Sequence, residues 1–443
     1  MFRRVGMRSS APRAAVVCSA LALLAGCVGA LGCGSTGGTA ATGEEARLDA
    51  ETAPPAGTVI GDDATNRLSS ACAATVLSVL EKIAKRVYRE GVFSERTASA
   101  TYMVGHSRAL RRAVERGDPA SVRAAAHALL ATHHMTDIEV TREGRVLTEI
   151  GAAHAIAPLH GSIAGGAGTP SARFVTTVWA DSGFVDETEG LAQGPVAIRR
   201  HGQTIAGSVR LPSGPLPARG TLMLAGVSYR YVSFPIALYP AGRARAYLLR
   251  PTATIAPLCA RSATQTTVNT ISHVAALIYT GEQGPRALVQ VRRAQHNRPL
   301  LQAVAHHRRE AARLAIDALL NEHIVRIRVD AGGALFEDVG GPHVLAPLRA
   351  PLRWGGQQVG TLVLSVQDDL GYLKLAQRLA GVKVVMHHGS QLVLSSFPTP
   401  PADLPASGPL RFDGHAYRVF TLYAEAFPAG RLRISELVPI PFE

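Results

Sequence analysis

The sequence predicts an α+β protein: two tandem modules, each with N-terminal helices packed on an antiparallel sheet. Three observations predict it. First, the 443-residue chain aligns with itself at an offset of roughly 190 residues, the mark of an internal duplication. Ala128-Leu129-Leu130 pairs with Ala318-Leu319-Leu320, Phe174 to Phe184 with Leu362 to Tyr372, and Pro240-Ala241-Gly242-Arg243 with Pro428-Ala429-Gly430-Arg431. Second, each copy opens with apolar residues at helical spacing: Val76, Leu80, Ile83 and Val87, answered by Val268, Ile271, Ala275 and Ile278. Third, the apolar period then changes to two, as in Ile324-Val325-Arg326-Ile327-Arg328-Val329.

Read in order, the chain begins with Arg3, Arg4, Arg8 and Arg13 around and ahead of an apolar stretch from Ala14 to about Gly32, a basic region feeding a hydrophobic one, as in export signals. Within it Leu24-Ala25-Gly26-Cys27 has the form of a bacterial lipobox, with Ala30-Leu31-Gly32-Cys33 as a second candidate. The expectation is a signal segment over 1–33, cleaved at an acylated cysteine and leaving the rest on the outer face of the cell membrane. Simple cleavage and an uncleaved anchor are the alternatives. Residues 34–68 read as a Gly/Ala/Thr/Pro-containing tether, 69–255 as the first module and 256–443 as the second. Removing the four leader arginines lowers the net charge from +13 to +9. The arginines are scattered, without interleaved aromatics, which argues against nucleic-acid binding and for contact with an anionic envelope.

Each first helix reaches a tyrosine, Tyr88 and Tyr279. Second helices are expected over about Ser107–Leu130, with an interruption at Gly117-Asp118-Pro119, and about Arg298–Asn321. In the second copy a hairpin turns at Ala331-Gly332-Gly333 and another at Gly355-Gly356. A β-rich run spans Val359 to Val366, a short helix follows Asp368-Asp369, and the later strands complete a sheet of five or six strands. Outside the leader only Cys72 and Cys259 remain, each expected just ahead of its copy's first helix. They are either a disulfide, which an oxidising compartment permits, or two buried thiols.

With these elements in place, IVRIRV, DVGGPHVLAPLRAPLR and VGTLVLSVQDDLGYLKL of the second copy resemble the extracytoplasmic Cache domains, the PAS-like sensor modules of bacteria. They are similar in particular to exported actinobacterial proteins with single-Cache-like domains. The resemblance covers most of 267–438 and, more weakly, 74–251. It implies a small-molecule ligand of the amino acid, carboxylate or purine class, held over the sheet. Nothing after Glu443 reads as a membrane helix or output domain, so a sensing role implies a membrane signalling partner. The alternative is a structural or interaction lipoprotein of the envelope with no small-molecule ligand.

The candidate ligand residues lie in the second copy. Gly340, Gly341 and His343 form a turn whose backbone N–H groups suit an anion, or a plain tight turn. Asp368 and Asp369 offer charge to a ligand amine or cation, or cap the helix that follows. Tyr372 offers a hydroxyl where the first copy has Phe184. Arg326 and Arg328 replace Asp137 and Glu139 of the first copy; they hold a ligand carboxylate, pair with the first copy or face solvent. His133-His134, His306-His307 and His387-His388 lack the spacing for metal binding. No catalytic motif or cofactor fingerprint is present, and no enzyme activity, metal or cofactor is expected.

Overall fold

The computed structural model describes residues 62–132, 135–151, 155–165, 170–320, 324–427 and 430–442. The leader, the acylation candidates Cys27 and Cys33, and His133, His134 and His154 lie outside the described residues. Residues Ile60–Glu443 form one compact unit. No helix among the described residues is long and apolar enough to cross a membrane.

The first copy runs α1 (Asp62–Phe93), α2 (Glu95–His106), α3 (Arg108–Arg116), α4 (Pro119–Thr132), then β1 (Asp137–Arg142), β2 (Arg145–Gly151), β3 (Ala155–Ile156), β4 (Leu159–Ala164), β5 (Pro170–Thr177) and β6 (Trp179–Ala180). It continues through α5 (Asp181–Ala192), β7 (Val196–Arg200), β8 (Gln203–Gly207), β9 (Arg219–Leu224), β10 (Val227–Ala237) and β11 (Arg243–Pro251). The second copy repeats the plan with α6 (Ala263–Gly281), α7 (Pro285–Gln295), α8 (Arg298–Ala305), α9 (Arg309–Leu320), β12 (Arg326–Ala331), β13 (Ala334–Gly340), β14 (Val344–Leu345), β15 (Leu348–Trp354), β16 (Gln357–Ser365) and β17 (Gln367–Asp368). It closes with α10 (Asp369–Leu375), β18 (Lys383–His388), β19 (Gln391–Ser395), β20 (Gly408–Phe412), β21 (His415–Phe427) and β22 (Gly430–Ile440).

The fold is α+β with antiparallel sheets, but each copy holds two large sheets, not one of five or six strands. The first copy has β2-β1-β5-β4 and β8-β7-β11-β10-β9, and the second has β13-β12-β16-β15 and β17-β14-β21-β22-β18-β19, with β20 paired to β21. The reason is physical: period-two alternation records which face a residue takes, not which strand it pairs with. The helices also differ in detail. Helix α1 starts at Asp62, inside the stretch read as a tether. Cys72 is therefore within α1 and not ahead of it. The helix expected over 298–321 is broken at His306-His307, His307 taking a left-handed φ of +53°. The glycine turns are as expected: Gly332-Gly333 (φ +60° and +78°) and Gly355-Gly356 (φ +58° and +82°) give the paired left-handed residues of a tight hairpin turn.

Helices α2, α3 and α4 cover the first sheet, where Val104, Leu110 and Val114 pack with Ile138, Ile163 and Phe174. In the second copy Leu300, Val304 and Ile316 pack with Ile327, Leu352 and Leu364. The central core belongs to both copies. The stripes Val76, Leu80, Ile83 and Val87 of α1 and Val268, Ile271, Val274 and Ile278 of α6 share one cluster with Ile198 and Phe234 of the first copy and Val384 and Ile434 of the second. Each such fully buried side chain contributes about 1.5–3 kcal/mol, so this seam is a main source of stability. A Cys72–Cys259 disulfide crosses it, with Cα atoms 5.6 Å apart.

Matched positions of the two halves make the same single interactions. Tyr88 Oη accepts from the Ala237 N–H at 2.9 Å, and Tyr279 Oη accepts from the Glu425 N–H at 3.0 Å. Each tyrosine meets a buried ring edge-on, Phe184 at 6.2 Å and Tyr372 at 6.5 Å. Ala157 and Ala346 both adopt left-handed φ values, +56° and +51°, uncommon for alanine. Their N–H groups donate to Ala237 and Glu425 carbonyls at 3.1 and 3.2 Å.

Candidate functional site

The residues singled out in the second copy are held by the protein itself. Gly340 has φ +137°, and a Cβ there would collide with the Val325 carbonyl; Gly341 N–H donates to that carbonyl at 3.1 Å. The glycines thus close a strand pair. Gly151 repeats the device with φ +133°. Arg326 is not solvated. Its Nε and Nη2 donate to the two Asp338 carboxylate oxygens at 2.7 and 2.8 Å, its Nη1 donates to the Gly341 carbonyl, and its guanidinium stacks 5.4 Å from the Phe427 ring centroid. Arg328 donates to Asp330 at 2.9 Å. The fork-to-fork pair with Asp338 leaves Arg326 little for a ligand carboxylate.

Asp368 is the N-cap of α10, its Oδ1 accepting from the Gly371 N–H at 2.6 Å. The equivalent Ala180 gives α5 no side-chain cap, so the residue unique to the second copy does structural work. The fold does bring His343 and Asp369 together, the Asp369 N–H donating to the His343 carbonyl at 3.0 Å. Burial raises the Asp369 pKa and Asp368 adds to the rise, against donation from the Leu370 N–H and the charge of His343. None of these residues lines any of the four clefts described below.

Tyr372 corrects the reading of an accessible hydroxyl, for it is 0% exposed. Its Oη donates to Glu436 Oε1 at 2.6 Å, and Glu436 is also 0% exposed, with Oε2 lacking a hydrogen-bond partner. Burial pushes the Glu436 pKa up to about 7, against the hydrogen bond from Tyr372. At the matching places the first copy has Phe184 and Leu248, both buried in the same central core. One copy therefore fills this position with an apolar pair and the other with a hydrogen-bonded polar pair.

Among the described residues, four clefts bear on a binding site. One of about 520 Å³ and one of about 440 Å³ lie along the helices where the copies meet. In the first of these Glu282 has its pKa raised by burial and by Glu187, with Arg286 opposing. A third, of about 400 Å³, mixes charges of both signs, Arg123 and His127 with Asp137 and Glu149, beside Tyr239. Burial, then Asp137, Glu149 and Glu139, raise the Tyr239 pKa far above its ordinary value. The Asp137 carboxylate there accepts from Thr177 Oγ1 at 2.9 Å.

The fourth cleft, of about 380 Å³, is different in kind. Arg199, Arg200, His201, Arg243 and Arg245 line it together with Tyr247, and no carboxylate does. It lies on the second sheet's face turned away from α1, where Tyr231, Tyr247 and Leu249 pack beneath Val209, Leu211 and Leu216. Antiparallel register sets Arg245 directly opposite Arg199, and Arg243, two residues along, shares their face. Like charges directly opposite destabilise a sheet. Arg199 is only 4% exposed. Its Nη2 holds the covering loop through the Gly202, Pro212 and Gly214 carbonyls at 2.5, 2.6 and 2.8 Å, while its Nε has no hydrogen-bond partner. Arg245 is fixed by Ser233 at 3.0–3.2 Å. The arrangement can receive an anion by charge-assisted hydrogen bonds. Sequence reading missed it because the arginines come from separate strands; the available signal was the period-two spacing of Arg243 and Arg245 beside the Pro-Ala-Gly turn.

No protein-family model and no curated protein matches the chain. Among solved structures, the periplasmic domain of Vibrio cholerae LuxQ is similar at 13% identity, covering 37% of this chain and 96% of that chain with a TM-score of 0.27. An extracellular ligand binding receptor from Desulfohalobium retbaense is similar at 11% identity, covering 43% of this chain and 41% of that one with a TM-score of 0.22.

Proposed function

We propose that the chain is an extracytoplasmic, lipid-anchored binding protein of the sensor type, without catalytic activity, that takes a small anionic ligand in the basic cleft of its first copy. The observation that carries this reading is the buried Arg199 opposite Arg245 in a cleft with no lining carboxylate. Unneutralised guanidinium groups at such a place favour an occupant that supplies the negative charge. The site thus moves from the second copy, where the sequence pointed, to the first. Presentation of the bound ligand to a membrane signalling partner belongs to the same proposal and rests on the export signal read in the first 33 residues.

A thermal-shift screen of the full chain against carboxylates, amino acids, purine nucleotides and cations tests it. Mono- and dicarboxylates or other small anions are expected to raise the melting temperature with concentration, as binding to the folded state requires. The shift is expected to shrink in Arg243→Gln, an exposed position whose loss leaves the core intact. A folded chain indifferent to every anion would turn the reading to an envelope interaction protein.

A further inference from the structure

We infer that the second copy carries a separate site for a small oxyanion, built from His387, Arg433 and Ser435. The duplication places these residues where the first copy has Arg199, Arg245 and Tyr247. The register is the same: His387 lies directly opposite Arg433 across β18 and β22, as Arg199 lies opposite Arg245. Ser435 follows Arg433 by two residues on β22 and so shares its face.

What makes this a site and not a relic of the repeat is the hydrogen-bond inventory. His387 Nδ1, Arg433 Nε and Ser435 Oγ are all buried and lack a hydrogen-bond partner, and Ser435 is only 1% exposed. Buried polar atoms are almost always satisfied, and each orphan costs about 1–3 kcal/mol. Three orphans on adjacent positions of one face call for a shared occupant. A guanidinium N–H and a hydroxyl are donors, and the imidazole nitrogen is a donor when protonated there, so the occupant is acceptor-rich. Arg433 adds a positive charge, and no ion pair to it occurs among the described residues. Burial and then the charge of Arg433 lower the His387 pKa. Glu425 lies across from Arg431, two residues along β22, and is engaged by Arg349 at 3.0 Å. A compact oxyanion, a phosphate, sulfate or carboxylate group, has the acceptor oxygens and the negative charge that these donors call for. This site stands apart from the basic cleft of the first copy and does not depend on what that cleft binds.

The test is an NMR titration of the full chain, labelled at histidine, with inorganic phosphate, and with sulfate and acetate in parallel arms. The His387 imidazole resonances, assigned through His387→Gln, are expected to shift saturably with at least one anion at millimolar concentration. The shift is expected to vanish in Arg433→Gln and in the milder Ser435→Ala, and to persist in Arg243→Gln, which weakens only the first cleft. The three arms separate a phosphate-selective site from a general oxyanion or carboxylate site. The proposal is overturned if no anion shifts His387 saturably, if the shift survives both Arg433→Gln and Ser435→Ala, or if Arg243→Gln abolishes it.

Discussion

Replacing Tyr372 by Phe and Glu436 by Leu together, which copies the Phe184 and Leu248 pair of the first copy, is expected to remove a large pH dependence from the stability of this protein. Glu436 has a folded pKa of about 7 against an ordinary value of 4.5. Between those values the folded protein keeps a proton that the unfolded chain releases. The stability that this proton confers is therefore complete below the unfolded pKa and is lost as the pH rises towards and through the folded one. The size of the shift makes the loss on the order of 3 kcal/mol. Urea denaturation at about pH 5 and about pH 8 measures it. The wild type should be markedly less stable at the higher pH, and the double variant should show little of that difference. Tyr372→Phe alone is expected to be worse than the double variant by about 1–3 kcal/mol, because it strips the buried Glu436 carboxyl group of the donor that Tyr372 supplies. Equal stability of single and double variants would show that the two groups do not act as a pair.

Reduction of the Cys72–Cys259 bond is expected to cost about 2–5 kcal/mol. The bond closes a sequence separation of 187 residues and ties α1 to the segment leading into α6, across the core that the copies share. Cys72→Ser with Cys259→Ser should lower the urea midpoint as reducing agent does, and reducing agent should then have no further effect on the variant. A wild type indifferent to reductant would mean that the seam is held by its apolar stripes alone. That result would match the alternative of two buried thiols.

The parts of the fold set by local periodicity were legible. Val76, Leu80, Ile83 and Val87 declare a buried helical stripe, and paired glycines declare hairpin turns, because each signal is complete within a few residues. Pairing between distant strands was not legible. Arg326 reads as one of two solvated charges until β13 brings Asp338 across to it, and the division of each copy into two sheets rests on pairings that alternation does not encode. Tyr372 was misread for a different reason. Its partner in the duplication is Phe184, a core residue, and that equivalence was the better guide than the added hydroxyl. The basic cleft escaped notice because Arg199 and Arg245 are neighbours only through the register of β7 and β11. Scattered arginine in a sequence becomes a charged cleft once a sheet lines it up.

The proposal that this chain binds a small anion in its first copy is tested most directly by isothermal titration of the full chain with the anion that gives the largest thermal shift, alongside Arg245→Gln and Asp369→Asn. Saturable binding to the wild type, weakened about tenfold or more in Arg245→Gln through loss of a charge-assisted contact and unchanged in Asp369→Asn, is the predicted result. Binding that survives Arg245→Gln but fails in Asp369→Asn would contradict it and return the ligand to the second copy.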